Sequence, residues 1–296
     1  MNLRNFRIAA GMIGMVAIAS LAAPRLWSQT ANSGQQTERF QRSFSITSGG
    51  TLAVDNYKGT IHVTGSDTKQ VVVDVHKRFE GSDSDRKEWM ENTQINFHND
   101  SGRVSVEVKY PNQNCVFCWQ THDYVAEVDL EIHVPHQINL TVESYKPDIK
   151  VSSIQGDIRI KSYKSPINIE STTGAIRVDT YKDSIKLNNV TVHGALEVRS
   201  YKAETEINAR SLGETANLES DKGSIVLRVP SDTGLDVDFS GSRRSRFHTD
   251  FPLATRTGSR SDGDVRGTIN QGGTRLRLRT EKGSVVIEKL GGGGTY

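Results

Sequence analysis

Aromatic residues are scarce in this 296-residue chain, at 7% of the total, and there are only two cysteines and seven prolines. Two cysteines cannot staple a disulfide-dense miniprotein, and so few aromatics do not suit a core built on rings. Leucine is thin as well, 16 residues against 46 isoleucines and valines. That excess of β-branched side chains favours strands and argues against a helical bundle. Apolar runs are almost missing. The single long one, Ile8–Ala23, is too short to cross a bilayer comfortably, and the mean hydropathy of −0.51 excludes a polytopic membrane protein.

The one apolar run reads as an export signal. Arg4 and Arg7 precede it, Pro24-Arg25 breaks it, and Ser20-Leu21-Ala22 supplies small residues for cleavage. Residues 1–28 are therefore expected to be a signal peptide, with an uncleaved anchor as the alternative, and the product to work in the periplasm or at the cell surface. No lipobox cysteine follows. Residues 29–42, polar and rich in Gln, Ser and Thr, are expected to be a disordered spacer. Removing residues 1–28 takes away three arginines and no acid, so the formal charge passes from +2 to about −1 (34 basic against 35 acidic residues). The basic isoelectric point then gives no reason to expect nucleic acid as a partner.

What the chain has in abundance is periodicity. Tyr145-Lys-Pro-Asp-Ile-Lys-Val, Tyr163-Lys-Ser-Pro-Ile-Asn-Ile, Tyr181-Lys-Asp-Ser-Ile-Lys-Leu and Tyr201-Lys-Ala-Glu-Thr-Glu-Ile form one series, with Asp221-Lys-Gly-Ser-Ile-Val-Leu as a degenerate fifth copy. Their spacings are 18, 18, 20 and 20 residues. Between them lies a second, glycine-marked series at Gly156, Gly174, Gly194 and Gly213. Within each segment apolar residues alternate with polar ones, as in Ile149/Val151, Ile158/Ile160, Ile167/Ile169 and Ile176/Val178, which puts one face inward and the other in water. The next inward position is small and polar (Ser144, Ser153, Ser162, Ser171, Thr180, Asn189, Ser200, Ser220), suited to bonding backbone groups freed at a corner. One such unit cannot bury its own apolar face, so the units must stack. The reading is an all-β fold: a single-stranded β-helix or solenoid over residues 43–290 with two-strand coils of 18–20 residues. A β-sandwich has no reason to keep so strict a register. Ser82 or Ser84 caps the one short helix expected, ending near Asn92, and residues 291–296 read as a flexible tail.

Three features are candidate sites. Cys115-Val-Phe-Cys118 in a loop of an exported chain points to a local disulfide; a redox pair is the alternative, and a metal site lacks a second cysteine pair. Tyr145, Tyr163, Tyr181 and Tyr201 should align along one edge at the coil rise, beside Lys146, Lys164, Lys182 and Lys202. Such an edge could bind a glycan or an anionic polymer, although solenoids also finish corners with like residues for stability alone. Nine arginines against three aspartates between residues 243 and 279 make a basic patch, with Arg243, Arg244, Arg246, Arg275, Arg277 and Arg279 at its heart. It suits anionic lipid or polysaccharide, or is a solvated strand face. No nucleophile elbow, zinc-helix motif or phosphate loop is present, so catalysis, a cofactor or a metal is not expected.

The order of these elements resembles the bacterial DUF4097 (adhesin-like, or toastrack) family. The residues that carry the likeness are Leu52-Ala-Val-Asp-Asn-Tyr-Lys-Gly-Thr-Ile-His-Val, the Gly-x-Ile-x-Val coils, Asp250-Phe-Pro-Leu253, Gly267-Thr-Ile-Asn-Gln-Gly-Gly-Thr-Arg-Leu-Arg-Leu-Arg and Lys282-Gly-Ser-Val-Val-Ile. The resemblance spans about residues 40–290 and implies a right-handed β-helix outside the cytoplasm with no established chemistry. Some relatives are assembly platforms beside membrane-stress regulators, but this chain lacks their additional membrane spans. The expectation is a binding or scaffold module whose partner is an envelope polysaccharide, an anionic lipid or another envelope protein. An assembly platform in stress signalling and a polysaccharide-active enzyme are the alternatives.

Overall fold

The computed structural model describes residues 35–100, 102–111, 125–255 and 263–291. The expected signal segment, Cys115, Cys118 and residues 292–296 lie outside them. The chain opens with β1 (Gln35–Ser45), β2 (Thr51–Asn56), β3 (Thr60–Ser66) and β4 (Gln70–Glu80). The helix α1 (Asp83–Asn92) begins at its Ser82 cap, whose hydroxyl accepts from the Asp85 N–H at 3.3 Å. After it come β5 (Gln94–Asp100), β6 (Arg103–Lys109) and β7 (Val125–Pro135).

The repeat follows as β8 (Asn139–Ser144), β9 (Asp148–Ser152), β10 (Ile158–Lys164) and β11 (Ile167–Glu170). It continues through the 39-residue β12 (Thr173–Ser211), then β13 (Thr215–Ser220) and β14 (Ile225–Val229). The last section holds β15 (Leu235–Gly241), β16 (Ser245–Thr249), β17 (Leu253–Thr255), β18 (Val265–Ile269), β19 (Thr274–Thr280) and β20 (Gly283–Lys289).

Parallel pairing joins like positions one repeat apart: Ile158 faces Leu140 and Ile176, and Ile167 faces Ile149 and Ile185. The result is a solenoid-like stack in which each coil gives one strand to each of two faces. The inward residues expected from the alternation, from Ile149 and Val151 to Leu196 and Val198, are all 2% exposed or less. A glycine marks one corner because successive corners touch there. A Cβ on Gly174 (φ +146°) would lie 2.2 Å from the Gly156 carbonyl oxygen, so no other residue fits.

Coil order departs from chain order at both ends. The β2–β3 coil lies between the later β8–β9 coil and the strands β6 and β7. At the far end β19 and β20, the last strands of the chain, insert between β13–β14 and β15–β16. First and last coils are thus each paired on both sides, and no free parallel edge is left at either of them.

One boundary also differs. Residues 35–42, expected as spacer, belong to β1, which pairs antiparallel with β4 along its whole length. Composition understated this strand because the two aromatics of β1 and one ion pair to β4 carry it. Phe40 and Phe44 pack on Phe97 at 6.4 and 5.3 Å between ring centres, and Glu38 pairs with the largely buried Lys77 at 3.1 Å.

Candidate functional site

The corner between the two faces carries the Tyr-Lys series, and stacking makes it a ladder. Tyr57, Tyr145, Tyr163, Tyr181 and Tyr201 follow one another at 4.7, 4.9, 4.8 and 4.8 Å between ring centres, with interplanar angles of 3°, 7°, 12° and 16°. Five rings span about 19 Å at the strand spacing of a sheet. The hydroxyl or amide of the preceding residue turns inward: Asn56, Ser162 and Thr180 are buried beneath the corner. Tyr57 was legible as a copy of the turn; its place next to Tyr145, 88 positions along the chain, follows from the displaced first coil.

Each interior ring has a neighbour on both faces. The faces are therefore spent on one another, and the strip offers water only ring edges, phenol groups and lysines. Ring edges carry the positive part of the quadrupole. Lys146, Lys164 and Lys202 hold their ammonium groups 5.3–5.6 Å from the centres of Tyr145, Tyr163 and Tyr201. Because a neighbouring ring shields each interior face, these contacts add little cation–π attraction. Among the described residues no carboxylate lies within ion-pair distance of Lys58, Lys146, Lys164, Lys182 or Lys202.

The two ends of the ladder close differently. At one end Tyr110 meets Tyr57 edge-on at 6.1 Å and 62°, backed by Trp89 and Phe79. The buried Tyr110 hydroxyl lies 2.7 Å from the Lys58 carbonyl and 2.8 Å from Asn56 Oδ1, while the Asn56 amide donates to the Val128 carbonyl. Burial pushes the Tyr110 phenol well above its ordinary range, so it stays a neutral donor. At the other end Lys222 lies 4.6 Å from the centre of Tyr201, over its uncovered face, and donates to its phenol oxygen. That hydrogen bond lowers the Tyr201 pKa and raises that of Lys222.

Cations continue beyond the last tyrosine. Lys222 follows Asp221 at the next corner, and Lys282 follows Glu281 at the one after, its N–H bonded to the Asp221 carbonyl at 2.9 Å. Arg243 and Arg244 follow Ser242 at the corner of the coil after that, and with Arg279 and Lys282 they line a cleft of about 550 Å³. The lysine row and part of the expected arginine patch thus form one track. Sequence reasoning missed Lys282 as a member. The signal was there: Lys222-Gly-Ser-Ile-Val-Leu and Lys282-Gly-Ser-Val-Val-Ile are the same corner 60 residues apart, and the two strands pair in register.

The match of the DUF4097 toastrack family profile to residues 28–288 covers nearly the whole chain. The chain belongs to that family. Among solved structures, a candidate cell adhesion protein from Clostridium sporogenes matches at 11% identity, with 85% of this chain and 100% of that one aligned and a TM-score of 0.33. A candidate adhesin from Bacteroides fragilis aligns over 85% and 97% at 10% identity and TM-score 0.24. A candidate lipid binding protein from Parabacteroides distasonis aligns over 87% and 97% at 12% identity and TM-score 0.28. No curated protein matches the chain.

The remaining arginines fall differently in this toastrack chain. Arg275 and Arg277 stand on β19 beside Asp236 and Asp238 of β15. Arg266 pairs with Asp238 at 3.1 Å. These side chains belong to a strand face with acids interleaved, and Arg246 is an exposed residue of the terminal strand β16.

A groove of about 1320 Å³ opens at the aromatic end of the ladder, lined by Tyr57, Tyr145, Tyr163, Trp89 and Tyr110. Its floor carries Asp55 between Glu107 and Glu143, paired in register across three strands. Partial burial first, and then these two neighbours, raise the Asp55 pKa. Farther along the same row come Lys161, Asp179, Arg199 and Glu219, so acids outnumber bases beside the ladder.

Proposed function

We propose that this chain is an exported, non-catalytic binding module of the bacterial cell envelope, with right-handed coils, and that it holds its ligand along the Tyr-Lys corner. The observation that carries this reading is the row of lysines at one-coil spacing with no carboxylate within ion-pair distance among the described residues. Like charges directly opposite on neighbouring strands are unfavourable. Corners of a solenoid need small or turn-forming residues, not cations, so the row serves something outside the coil. Export is supported by the basic and apolar pattern of residues 1–28, and no helix among the described residues is long and apolar enough to cross a membrane.

A panel of glycans, anionic vesicles and envelope proteins presented to the full chain tests this. Retention of a polymer or vesicle, lost when Lys146 and Lys202 become glutamine, is the expected result. Retention of a specific membrane protein alone, indifferent to those lysines, would move the function to an assembly platform.

A further inference from the structure

We propose that the ligand of the Tyr-Lys corner is a linear acidic polysaccharide with one carboxylate per sugar unit, laid along the solenoid axis with about one unit per coil. This rests on the reading above that the corner is the ligand face. Four features select that class.

The rings stack on each other, so a sugar cannot lie flat against an aromatic face, the usual way a neutral glycan meets tyrosine. What remains outward is phenol hydroxyls, which donate and accept, and ammonium groups, which only donate. Among the described residues, the phenol oxygens of Tyr57, Tyr145, Tyr163 and Tyr181 have no hydrogen-bond partner in the protein, and ammonium groups stand beside the Tyr145 and Tyr163 rings. The ammonium groups make charge-assisted bonds only to oxygen anions, so such a strip favours an acidic chain over an uncharged one.

The strip is also one residue wide. On one side runs the row that begins with Glu107, Asp55 and Glu143. On the other, Asp183 and Glu204 are exposed next to the lysines of their own coils. A membrane or a nucleic-acid duplex would press its phosphates onto these acids, whereas a single-file chain avoids them. The repeat distance, 4.7–4.9 Å, fixes the spacing of charge, and one pyranose unit of an extended chain is of that size. A polymer charged once per unit can then keep step with the lysines over the five-ring strip.

The experiment measures binding of the full chain to polygalacturonate and alginate, each with one carboxylate per unit. Dextran, phosphatidylglycerol vesicles and single-stranded DNA serve as comparisons. Polyuronate should bind and dextran should not. Affinity should rise with oligomer length to about eight units and then level off, matching the five-ring strip and the following corners of Lys222, Lys282 and Arg243. Replacing Lys164, Lys182 and Lys202 together by glutamine should weaken polyuronate binding at least tenfold and flatten its dependence on salt by about two to three ions. If the triple variant misfolds by circular dichroism, K146Q and K202Q singly keep the test, since both side chains are exposed. Polyuronate binding that the variants leave unchanged overturns the proposal. Lysine-dependent binding of vesicles or DNA without polyuronate overturns the ligand class alone and leaves the binding-module reading in place. No lysine-dependent binding to any probe overturns both.

Discussion

Ending the chain after Gln271 removes β19 and β20 and should unfold one end of the molecule while sparing the rest. The deleted coil buries Leu276, Leu278, Val285 and Ile287, each 1% exposed or less. At roughly 1.5–3 kcal/mol per buried side chain, their loss is worth about 6–12 kcal/mol, as much as the whole stability of many domains. It also strips partners from four strands, because β19 pairs with β13 and β15, and β20 with β14 and β16. In a stack whose coils touch only their neighbours, that loss stays local. Hydrogen exchange followed by mass spectrometry should therefore show rapid exchange across residues 235–255 and 263–269, with protection kept from residue 140 to 200. Retained protection at residues 235–249 would refute the reasoning. It would mean that β15 and β16 can dock directly on β13 and β14, and that the inserted coil is dispensable.

Three further outcomes follow from single residues. Gly59→Ala should cost several kcal/mol and lower the melting temperature by many degrees, since Gly59 has φ +103° and its Cβ would lie 2.1 Å from the Val128 carbonyl oxygen. A melting temperature unchanged within error would show that this corner can open. Asp55→Asn should raise stability at neutral pH. The native pKa of Asp55 is raised above its unfolded value near 3.8, so the native carboxyl holds its proton more tightly and the charged form destabilises the fold once pH climbs through that window. Urea denaturation should show the gain of the variant shrinking as pH falls below the raised native value; a constant difference at every pH argues against the assignment. Lys222→Met should move the titration of Tyr201 upward, because the hydrogen bond from Lys222 is the largest cause of its lowered pKa. Near-UV absorbance of the phenolate reads this, and an unmoved midpoint means that the contact is absent in solution.

Much of this was legible beforehand, for a local reason. Whether Ile167 or Asn168 faces inward depends only on strand parity, and the 18-residue return of Tyr-Lys puts Tyr145, Tyr163 and Tyr181 on one edge whatever lies around them. The helix was equally local, set by Ser82 and the Asp85 three residues later. Residues 35–42 misled because their strand is stabilised by Val71–Phe79 of β4 and by Phe97, none of them near in sequence. The candidate strip was seen in part: four tyrosines and four lysines, but neither its closure by Tyr110 and Lys222 nor its continuation to Lys282 and Arg243.

The sequence by itself determined the coils: their length, their inward residues, their glycine corners and the repeated Tyr-Lys step. Tertiary structure decided their order. A parallel edge accepts any coil whose apolar pairs fall in register, so β2–β3 and β19–β20 dock at positions that no local pattern encodes. That choice brings Tyr57 against Tyr145 and Lys282 against Lys222. It turns a series of separate corners into one continuous cationic track, and the stacking that closes the ring faces limits what that track can hold.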